Sequence, residues 1–255
     1  MELVLDVKKA SLVIPEIAGK TYDAQVSPLS IIKNSYFQKV KSQDKTILKD
    51  ISFQLQRGER LGVLGPNGAG KTSLLRLLSK NILPTSGDVN VNGRTHSLMN
   101  LQMGLILNGT GVENIFLRGL QLGMSMKEIR QKMDGAIAFS GLGEHINRRF
   151  VTYSAGMKLR LAIAITLMPR PDVLIMDEWI GAGDKTFTNK LSSSLNEYVD
   201  NSRALIIASH NVNLIKRVCT HGILLDHGQM VTFGMIDDVL KAKQALDQKN
   251  LRGQK

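Results

Sequence analysis

The pattern of apolar and polar positions predicts strands towards both ends of the chain and helices in its middle. Apolar and polar residues alternate at 47–56 and 88–91, as in strands with one buried face. Two all-apolar runs, 173–176 and 205–208, are typical of strands inside a mostly parallel sheet that is covered on both faces. The predicted strands span 3–7, 47–56, 61–64, 88–91, 173–176, 205–208, 223–225 and 230–233.

Turn signals and helical periods complete this pattern. The pair at 92–93, Asn-Gly, predicts a hairpin after strand 88–91, and 226–229 joins the last two strands as a closing hairpin. Apolar residues repeat with a helical period in three later segments. Those helices are predicted at 113–122, 127–139 and 156–168. The sequence therefore predicts an α/β core with a helical lobe, at about 100–170, inserted in its middle.

A glycine-rich loop follows strand 61–64 and opens a helical run at 72–78. Its spacing is that of a phosphate-binding loop. The glycines let backbone N–H groups turn towards phosphate, Lys71 reaches the outer phosphates, and the Thr72 hydroxyl can ligate Mg²⁺. The alternative is an ordinary glycine-rich turn, and the flanking strand and helix argue against it. The predicted phosphate-binding residues are Gly65, Pro66, Asn67, Gly68, Ala69, Gly70, Lys71 and Thr72.

Two carboxylates, Asp177 and Glu178, end the apolar strand 173–176. A buried strand holds such groups rigidly at its carboxyl end, where open α/β sheets bind ligands. We expect Asp177 to ligate Mg²⁺ together with Thr72, and Glu178 to polarise an attacking water. Acids at a strand end are common in isolation, and the preceding phosphate loop is what favours the catalytic interpretation.

A polar segment begins the helix at 156–168, which is apolar on nearly all sides and therefore buried. The N-terminus of such a helix offers free N–H groups, a hydroxyl and the positive end of the helix dipole, so it is a second candidate anion site. Read alone, it is an ordinary serine-capped helix. The segment consists of Ser154, Ala155, Gly156, Met157 and Lys158.

Composition and charge limit the classes of protein to which this chain can belong. The formal net charge is +11, which suits nucleic acid, an anionic membrane surface or an acidic partner, and much of it lies at 33–49 and in a basic tail at 241–255. We expect both segments to be solvated. A single cysteine, Cys219, excludes an internal disulfide. The sequence contains neither a membrane-length apolar run nor a secretory signal pattern, so it predicts a cytoplasmic protein.

Together these motifs resemble the ATP-binding-cassette (ABC) ATPases over nearly the whole chain. The segment 154–158 stands where that family has its Leu-Ser-Gly-Gly-Gln signature. The resemblance implies that Glu178 is the catalytic glutamate, His210 the switch histidine and Asp184 the D-loop aspartate. It implies an α/β fold, a P-loop NTPase core of mostly parallel sheet with an N-terminal antiparallel β region and an inserted helical lobe, in one domain over 1–255.

The details of 110–115, 153–162 and 181–187 look like the ATPase subunits of bacterial polysaccharide exporters, which serve O-antigen, capsule and teichoic acid. This implies ATP and Mg²⁺ as cofactors and a head-to-tail homodimer. It also implies a separate multi-span permease that handles a lipid-linked glycan, with this chain peripheral on the cytoplasmic face of the bacterial inner membrane. The alternatives are a cassette for another exported lipid or drug, a cassette acting on nucleic acid and, ranked lowest, a phosphate-loop kinase or GTPase.

Some expected features have no clear counterpart in the sequence. The Q-loop of the family should lie near 100–104, where Gln102 is the tentative choice and Asn100 fits almost as well. The adenine-stacking aromatic residue is left open among Tyr22, Tyr36 and Phe37, in the irregular stretch 15–46. Within that stretch, a short amphipathic helix at 27–40 is predicted, either on the protein's own core or at the membrane or permease. Because the chain ends soon after the closing hairpin, we expect an exporter without a glycan-cap-binding domain.

Overall fold

A computed structural model describes residues 2–17, 42–99, 101–178 and 185–253. The strands are β1 (Leu3–Ile17), β2 (Ser42–Gln56), β3 (Arg60–Leu64), β4 (Ser86–Val91), β5 (Thr95–Ser97), β6 (Val173–Asp177), β7 (Ala204–Ala208), β8 (His221–Asp226) and β9 (Gln229–Met235). The α-helices are α1 (Lys71–Leu78), α2 (Gly111–Gln121), α3 (Met126–Ser140), α4 (Ala155–Thr166), α5 (Lys185–Asp200), α6 (Val212–Val218) and α7 (Ile236–Gly253). Two short 3-10 helices are Gly143–Asn147 and Phe150–Thr152.

The described strands form one sheet in the order β4-β1-β2-β9-β8-β3-β7-β6-β5. From β8 to β5 the neighbouring strands are parallel. At the other side, β1 pairs antiparallel with both β2 and β4, and β9 pairs antiparallel with β8. The two parts meet where Lys49 of β2 pairs with Gln229 of β9. The predicted parallel core with an N-terminal antiparallel region is confirmed.

The all-apolar strands have this composition because both of their faces are buried. Side chains alternate between the faces, so Val173 and Ile175 join the core under α1, whereas Leu174 and Met176 join the core under α5, α6 and α7. All four side chains have no exposed surface. The parallel arrangement brings the carboxyl ends of β3, β6 and β7 to the same edge of the sheet.

The helices α2, α3 and α4 lie in the chain between β5 and β6, as an inserted helical section requires. They share a core that includes Ile115, Ile129 and Leu161, each without exposed surface. Capping boxes start two of these helices: Thr110 and Glu113 cap α2, and Ser125 and Glu128 cap α3. The exact bounds of a separate lobe and of a C-terminal tail remain predictions.

The hairpin predicted at 92–93 is wrong. Strand β4 pairs with β1, whereas β5 pairs in parallel with β6, so the two strands lie at opposite edges of the sheet. The connection is held near β6 because Arg94 N–H donates to Asp172 Oδ2 at 2.8 Å and Asp172 N–H donates to the Arg94 carbonyl at 3.0 Å. These tertiary hydrogen bonds override the local turn signal.

The basic tail expected at 241–255 is helical as far as Gly253, and most of its described side chains are exposed. Helix α7 continues to Gly253, and Val239 and Leu240 are buried against the sheet. Partly buried Leu246 packs on the same core, so the lysines of this segment are on a docked helix. Within the described ranges, no helix is both long and apolar enough to span a membrane.

Several expectations fall outside the described residues. These are the helix at 27–40 and the residues Tyr22, Tyr36, Phe37, Asn100 and Asp184. Strands β1 and β2 extend further towards this stretch than predicted, since Ile17 still pairs with Ser42.

Candidate nucleotide-binding site

A cleft opens at the carboxyl ends of the parallel strands. The phosphate loop follows β3, the two acids end β6, and Ser209 and His210 follow β7, so one sheet edge brings three separate sequence segments together. The cleft is lined by Lys45, Ile47, Asn67, Gly68, Gly70, Lys71, Thr72, Ser73, Asp177, Glu178, Ala208, Ser209 and His210.

The phosphate loop adopts a conformation that needs glycine. Gly65 has a φ of +148°, and a Cβ at this position would lie 2.3 Å from the Leu225 carbonyl oxygen. The Lys71 ammonium donates to the carbonyl oxygens of Gly65 and Pro66 at 2.8 and 2.9 Å, which holds the loop closed on itself. No side chain caps the start of α1, so its first N–H groups stay available for phosphate.

The electrostatics of the loop suit a polyanion. Burial lowers the pKa of Lys71, while the carboxylates of Asp177 and Glu178 act in the opposite direction. The lysine has two carbonyl partners in this arrangement. Phosphate oxygens arriving in the cleft would give this ammonium stronger, charged acceptors than the two carbonyls.

Thr72 and Asp177 form an oxygen pair on the floor of the cleft, with the Thr72 hydroxyl donating to Asp177 Oδ2 at 2.9 Å. Within the described ranges, no cluster of three or more His, Cys, Asp or Glu side chains could hold a metal. Mg²⁺ does not need such a cluster, because it prefers hard oxygens and commonly takes one or two from protein and the rest from phosphates and water. Thr72 and Asp177 therefore fit Mg²⁺.

Glu178 directly follows β6, and hydrogen bonds from its backbone and to both of its carboxylate oxygens hold it against the end of the neighbouring strand β7. Its N–H donates to the Ala208 carbonyl at 2.8 Å, Oε2 accepts from the Ser209 hydroxyl at 2.7 Å, and Oε1 accepts from the His210 N–H at 2.7 Å. The backbone of Glu178 has a φ of +79°, which is unusual for a residue other than glycine. The exposed His210 lies beside it in the cleft.

Comparison with known proteins fits this arrangement. Residues 48–181, more than half of the chain, match the protein-family model described as ABC transporter. The chain belongs to the ABC transporter family. A dimeric ATP-binding cassette solved in a post-hydrolysis state with ADP and Pi has a similar fold, with a TM-score of 0.64 at 18% identity over 91% of this chain and 98% of that one. This likeness confirms the predicted P-loop NTPase fold.

Curated members of the ABC family are more similar in sequence. The teichoic acids export ATP-binding protein TagH of Lactococcus lactis is 38% identical over 198 residues, which are 78% of this chain and 42% of that protein. The O-antigen export system ATP-binding protein RfbB of Myxococcus xanthus is 36% identical over 194 residues, 76% of this chain and 44% of that protein. The chain spans about two fifths of the length of the first curated relatives that it matches.

The predicted signature segment, residues 154–158, does not join the cleft of its own chain. Ser154 caps α4, accepting from the Met157 N–H at 3.2 Å, and its side chain is exposed. None of the residues 154–158 is among the described residues that line the cleft. Lys158 lies over the Phe150 ring, 5.6 Å from its centre. This helix start is therefore open to a second molecule.

Gln102 also lies apart from the cleft. It is exposed, in a turn after β5, and it is not among the cleft-lining residues that the structure describes. Asp184 lies outside the described residues.

Sequence reasoning missed five residues that line the cleft, namely Lys45, Ile47, Ser73, Ala208 and Ser209. Lys45 and Ile47 reach it from β2, and Ser209 binds Glu178. The alternating pattern of β2 predicts a strand but gives no hint that its start faces a ligand. Ser209 directly precedes the predicted His210, and only the tertiary contact shows what its hydroxyl touches.

Proposed function

We propose that this chain is the ATP-hydrolysing, nucleotide-binding subunit of an ABC transporter that exports a lipid-linked polysaccharide of the O-antigen or capsule type. The observation that carries the ATPase part is the convergence of the phosphate loop, Asp177, Glu178 and His210 on one cleft. The cargo is proposed from the relatives, which are named for teichoic acid and O-antigen export.

ATP binding uses the loop as an anion cradle. The triphosphate accepts hydrogen bonds from the loop N–H groups and from the first turn of α1, and Lys71 exchanges its carbonyl partners for phosphate oxygens. Thr72 and Asp177 would hold Mg²⁺. When bound, this ion neutralises charge on the phosphate oxygens. Ile47 offers apolar surface at the same cleft, where a base could rest.

Hydrolysis uses Glu178 as the general base. A water attacks the γ-phosphorus and gives a proton to the Glu178 carboxylate, and the bond between the γ-phosphorus and the bridging oxygen breaks to release ADP and phosphate. His210 lies beside Glu178, where it can hydrogen-bond a γ-phosphate oxygen. The protein contributes mainly position and charge, as phosphoryl transfer requires.

Two copies are proposed to share each site. Residues 154–158 form a helix start with anion-binding chemistry, exposed at 154–156, and do not line their own cleft, which supports their closing over ATP held by a partner copy. Asp184 is proposed as the D-loop residue at the same interface. Each subunit alone would then carry two half-sites, and binding of two ATP molecules would close the homodimer.

A separate multi-span permease is the proposed membrane partner, so this chain would be peripheral on the cytoplasmic face of the inner membrane. The surface near the tentative Q-loop residue Gln102 supports this. It exposes a set of large apolar side chains of the kind that mark interaction sites. These are Met103, Ile106, Leu107, Leu117 and Leu120, exposed by 64, 45, 56, 38 and 40%.

The first test measures ATPase activity against protein concentration for the wild type and Glu178→Gln. We expect the activity to rise faster than linearly, and we expect Glu178→Gln to be inactive and to remain as an ATP-bound dimer. Glu144→Gln makes the same chemical change at an exposed position away from the cleft and should behave as wild type. Linear activity that survives in Glu178→Gln would contradict the proposal.

The cargo needs a separate test, because no residue of the cleft would touch it. Deletion of the gene should leave lipid-linked polysaccharide inside the cell and remove it from the surface. Normal surface polysaccharide in the deletion strain would favour the second candidate, a cassette that exports another lipid or a drug. Nucleic acid is not a proposed partner, and ATPase activity stimulated by DNA or RNA would contradict that.

A further inference from the structure

The residue before His210 makes a contact that ATP hydrolysis would depend on. Ser209 is 4% exposed, and its hydroxyl lies 2.7 Å from Glu178 Oε2. It is one of few polar side chains buried in the described part of the chain. A buried hydroxyl usually bonds a nearby backbone carbonyl, whereas this one reaches across from β7 to the end of β6.

The direction of the hydrogen bond from Ser209 is fixed by its second partner. The Asn211 N–H donates to Ser209 Oγ at 3.1 Å, so the single proton of the hydroxyl is left for Glu178, whose ionised carboxylate can only accept. Asn211 is held in turn as the cap of α6, accepting from the Leu214 N–H at 3.1 Å. Ile215 of the same helix has no exposed surface, so this chain of contacts ends in the core.

Glu178 needs such support because its own backbone does not supply it. Its φ of +79° lies in a region that non-glycine residues rarely adopt, and its side chain is exposed at the cleft. The remaining hydrogen bond, from the His210 N–H to Oε1, fixes one oxygen but allows the carboxylate to rotate about it. The bond from Ser209 to the other oxygen removes that freedom.

We propose that Ser209 is a positioning residue for ATP hydrolysis, which holds the Glu178 carboxylate in the orientation that accepts the proton of the attacking water. The proposal rests on the proposed function of Glu178 as the base. Ser209 acts on catalysis and not on ATP binding, because the only proton of its hydroxyl is donated to Glu178 and none is left for a phosphate oxygen, which can only accept.

The test compares Ser209→Ala with a closely matched control, Ser140→Ala. Ser140 has no exposed surface, donates to the Ile137 carbonyl at 2.7 Å and accepts from the N–H two residues on, that of Leu142, at 3.3 Å. It ends α3, far along the chain from the cleft residues and not among those that line the cleft. The two variants lose the same kind of buried hydroxyl, and only one of them touches Glu178.

We expect Ser209→Ala to lower kcat about tenfold, at the lower end for a hydrogen bond to a charged group because Glu178 is exposed to water. The Kd for ATP should stay within about twofold of wild type, since only the chemical step is affected. Ser209→Thr retains the hydroxyl and should keep kcat within about threefold of wild type. Ser140→Ala should leave both constants unchanged.

Three results would overturn the positioning role while leaving the ATPase function intact, provided that wild type hydrolyses ATP and Glu178→Gln does not. One is a kcat of Ser209→Ala equal to that of Ser140→Ala. Another is a Thr variant no better than the Ala variant. The third is a Kd for ATP that rises about tenfold in Ser209→Ala, which would show that the hydroxyl contributes to ATP binding and not to the chemical step alone. A wild type without ATPase activity would overturn both proposals.

Discussion

The Gly65→Ala substitution tests whether the phosphate loop depends on close contact with β8. The added Cβ would lie 2.3 Å from the Leu225 carbonyl oxygen and 3.1 Å from Ala69 Cβ. Leu225 is in a paired strand and has no exposed surface, so the oxygen cannot move aside without disturbing the sheet. The loop must therefore shift by about 1 Å to restore an ordinary atomic separation.

Two effects add up in this variant. Alanine at a φ of +148° is strained, and the loop is pushed out of its contact, so we expect a loss of about 3 kcal/mol in the free energy of unfolding. A displacement of this size should also weaken ATP binding by roughly a hundredfold, by analogy with misplaced catalytic groups. The loss of stability is predicted for the protein without nucleotide.

Gly58→Ala is the matched control for Gly65→Ala. Gly58 also has a positive φ, +88°, but a Cβ there would meet nothing within 4 Å, so only the conformational cost of about 1 kcal/mol applies. Urea denaturation gives both free energies of unfolding, and nucleotide titration gives the affinities. Equal destabilisation by the two substitutions, or unchanged ATP affinity in Gly65→Ala, would refute the role assigned to the Leu225 contact.

Two further predictions concern the proposed metal-binding pair and a buried histidine. Thr72→Val removes the hydroxyl 2.9 Å from Asp177 without changing the side-chain shape, so we expect ATPase activity to fall at least about tenfold and to need more Mg²⁺. Burial lowers the pKa of His96 to about 4. As the pH falls from 6.5 to 4, His96 is therefore protonated in the unfolded chain but stays neutral in the folded protein. Stability should therefore drop in this window, with His96 accounting for about 2 kcal/mol between pH 7 and pH 5.

Each of these two predictions has a conservative control. Thr72→Ser retains the hydroxyl and should keep the Mg²⁺ dependence of wild type, and an unchanged Mg²⁺ dependence in Thr72→Val would contradict the metal assignment. His96→Phe keeps a ring that can pack against Tyr198 but cannot titrate. Urea denaturation at pH 7 and pH 5 should show a smaller loss in this variant than in wild type. Equal losses would mean that His96 does not titrate as its burial indicates.

The sequence was sufficient to predict those features whose residues all lie in one continuous segment. The phosphate loop needs its glycines, Lys71 and Thr72 within a few residues, because one turn and one helix start form it, so its spacing and the flanking strand and helix predicted it. The all-apolar run before Asp177 predicted a buried parallel strand for the same reason. The order of the motifs then led to the family, which the comparison with known proteins confirms.

Sequence reasoning failed where distant residues decide the structure. The Asn-Gly pair at 92–93 is a good local hairpin signal. The chain instead continues to the other edge of the sheet, where the Arg94 N–H donates to Asp172. The lysines from 241 onward suggested a solvated segment, and no local signal predicted the helix α7 that Val239 and Leu240 anchor on the core. The contact between Ser209 and Glu178 joins residues 31 apart in sequence, and no motif predicts it.

The central claim, that two copies of this chain share each ATP site, is tested most directly by mixing two inactive variants. Lys71→Ala disables the phosphate loop, and Gly156→Glu puts a negative charge on the signature helix start, where the nearest atom to an added Cβ is 4.0 Å away, so the fold should accept it. Each variant alone should be inactive. A mixed dimer combines the intact loop of one chain with the intact signature of the other, so the mixture should recover up to roughly a quarter of wild-type ATPase activity. A mixture as inactive as its components, or full activity in Gly156→Glu alone, would contradict the shared site.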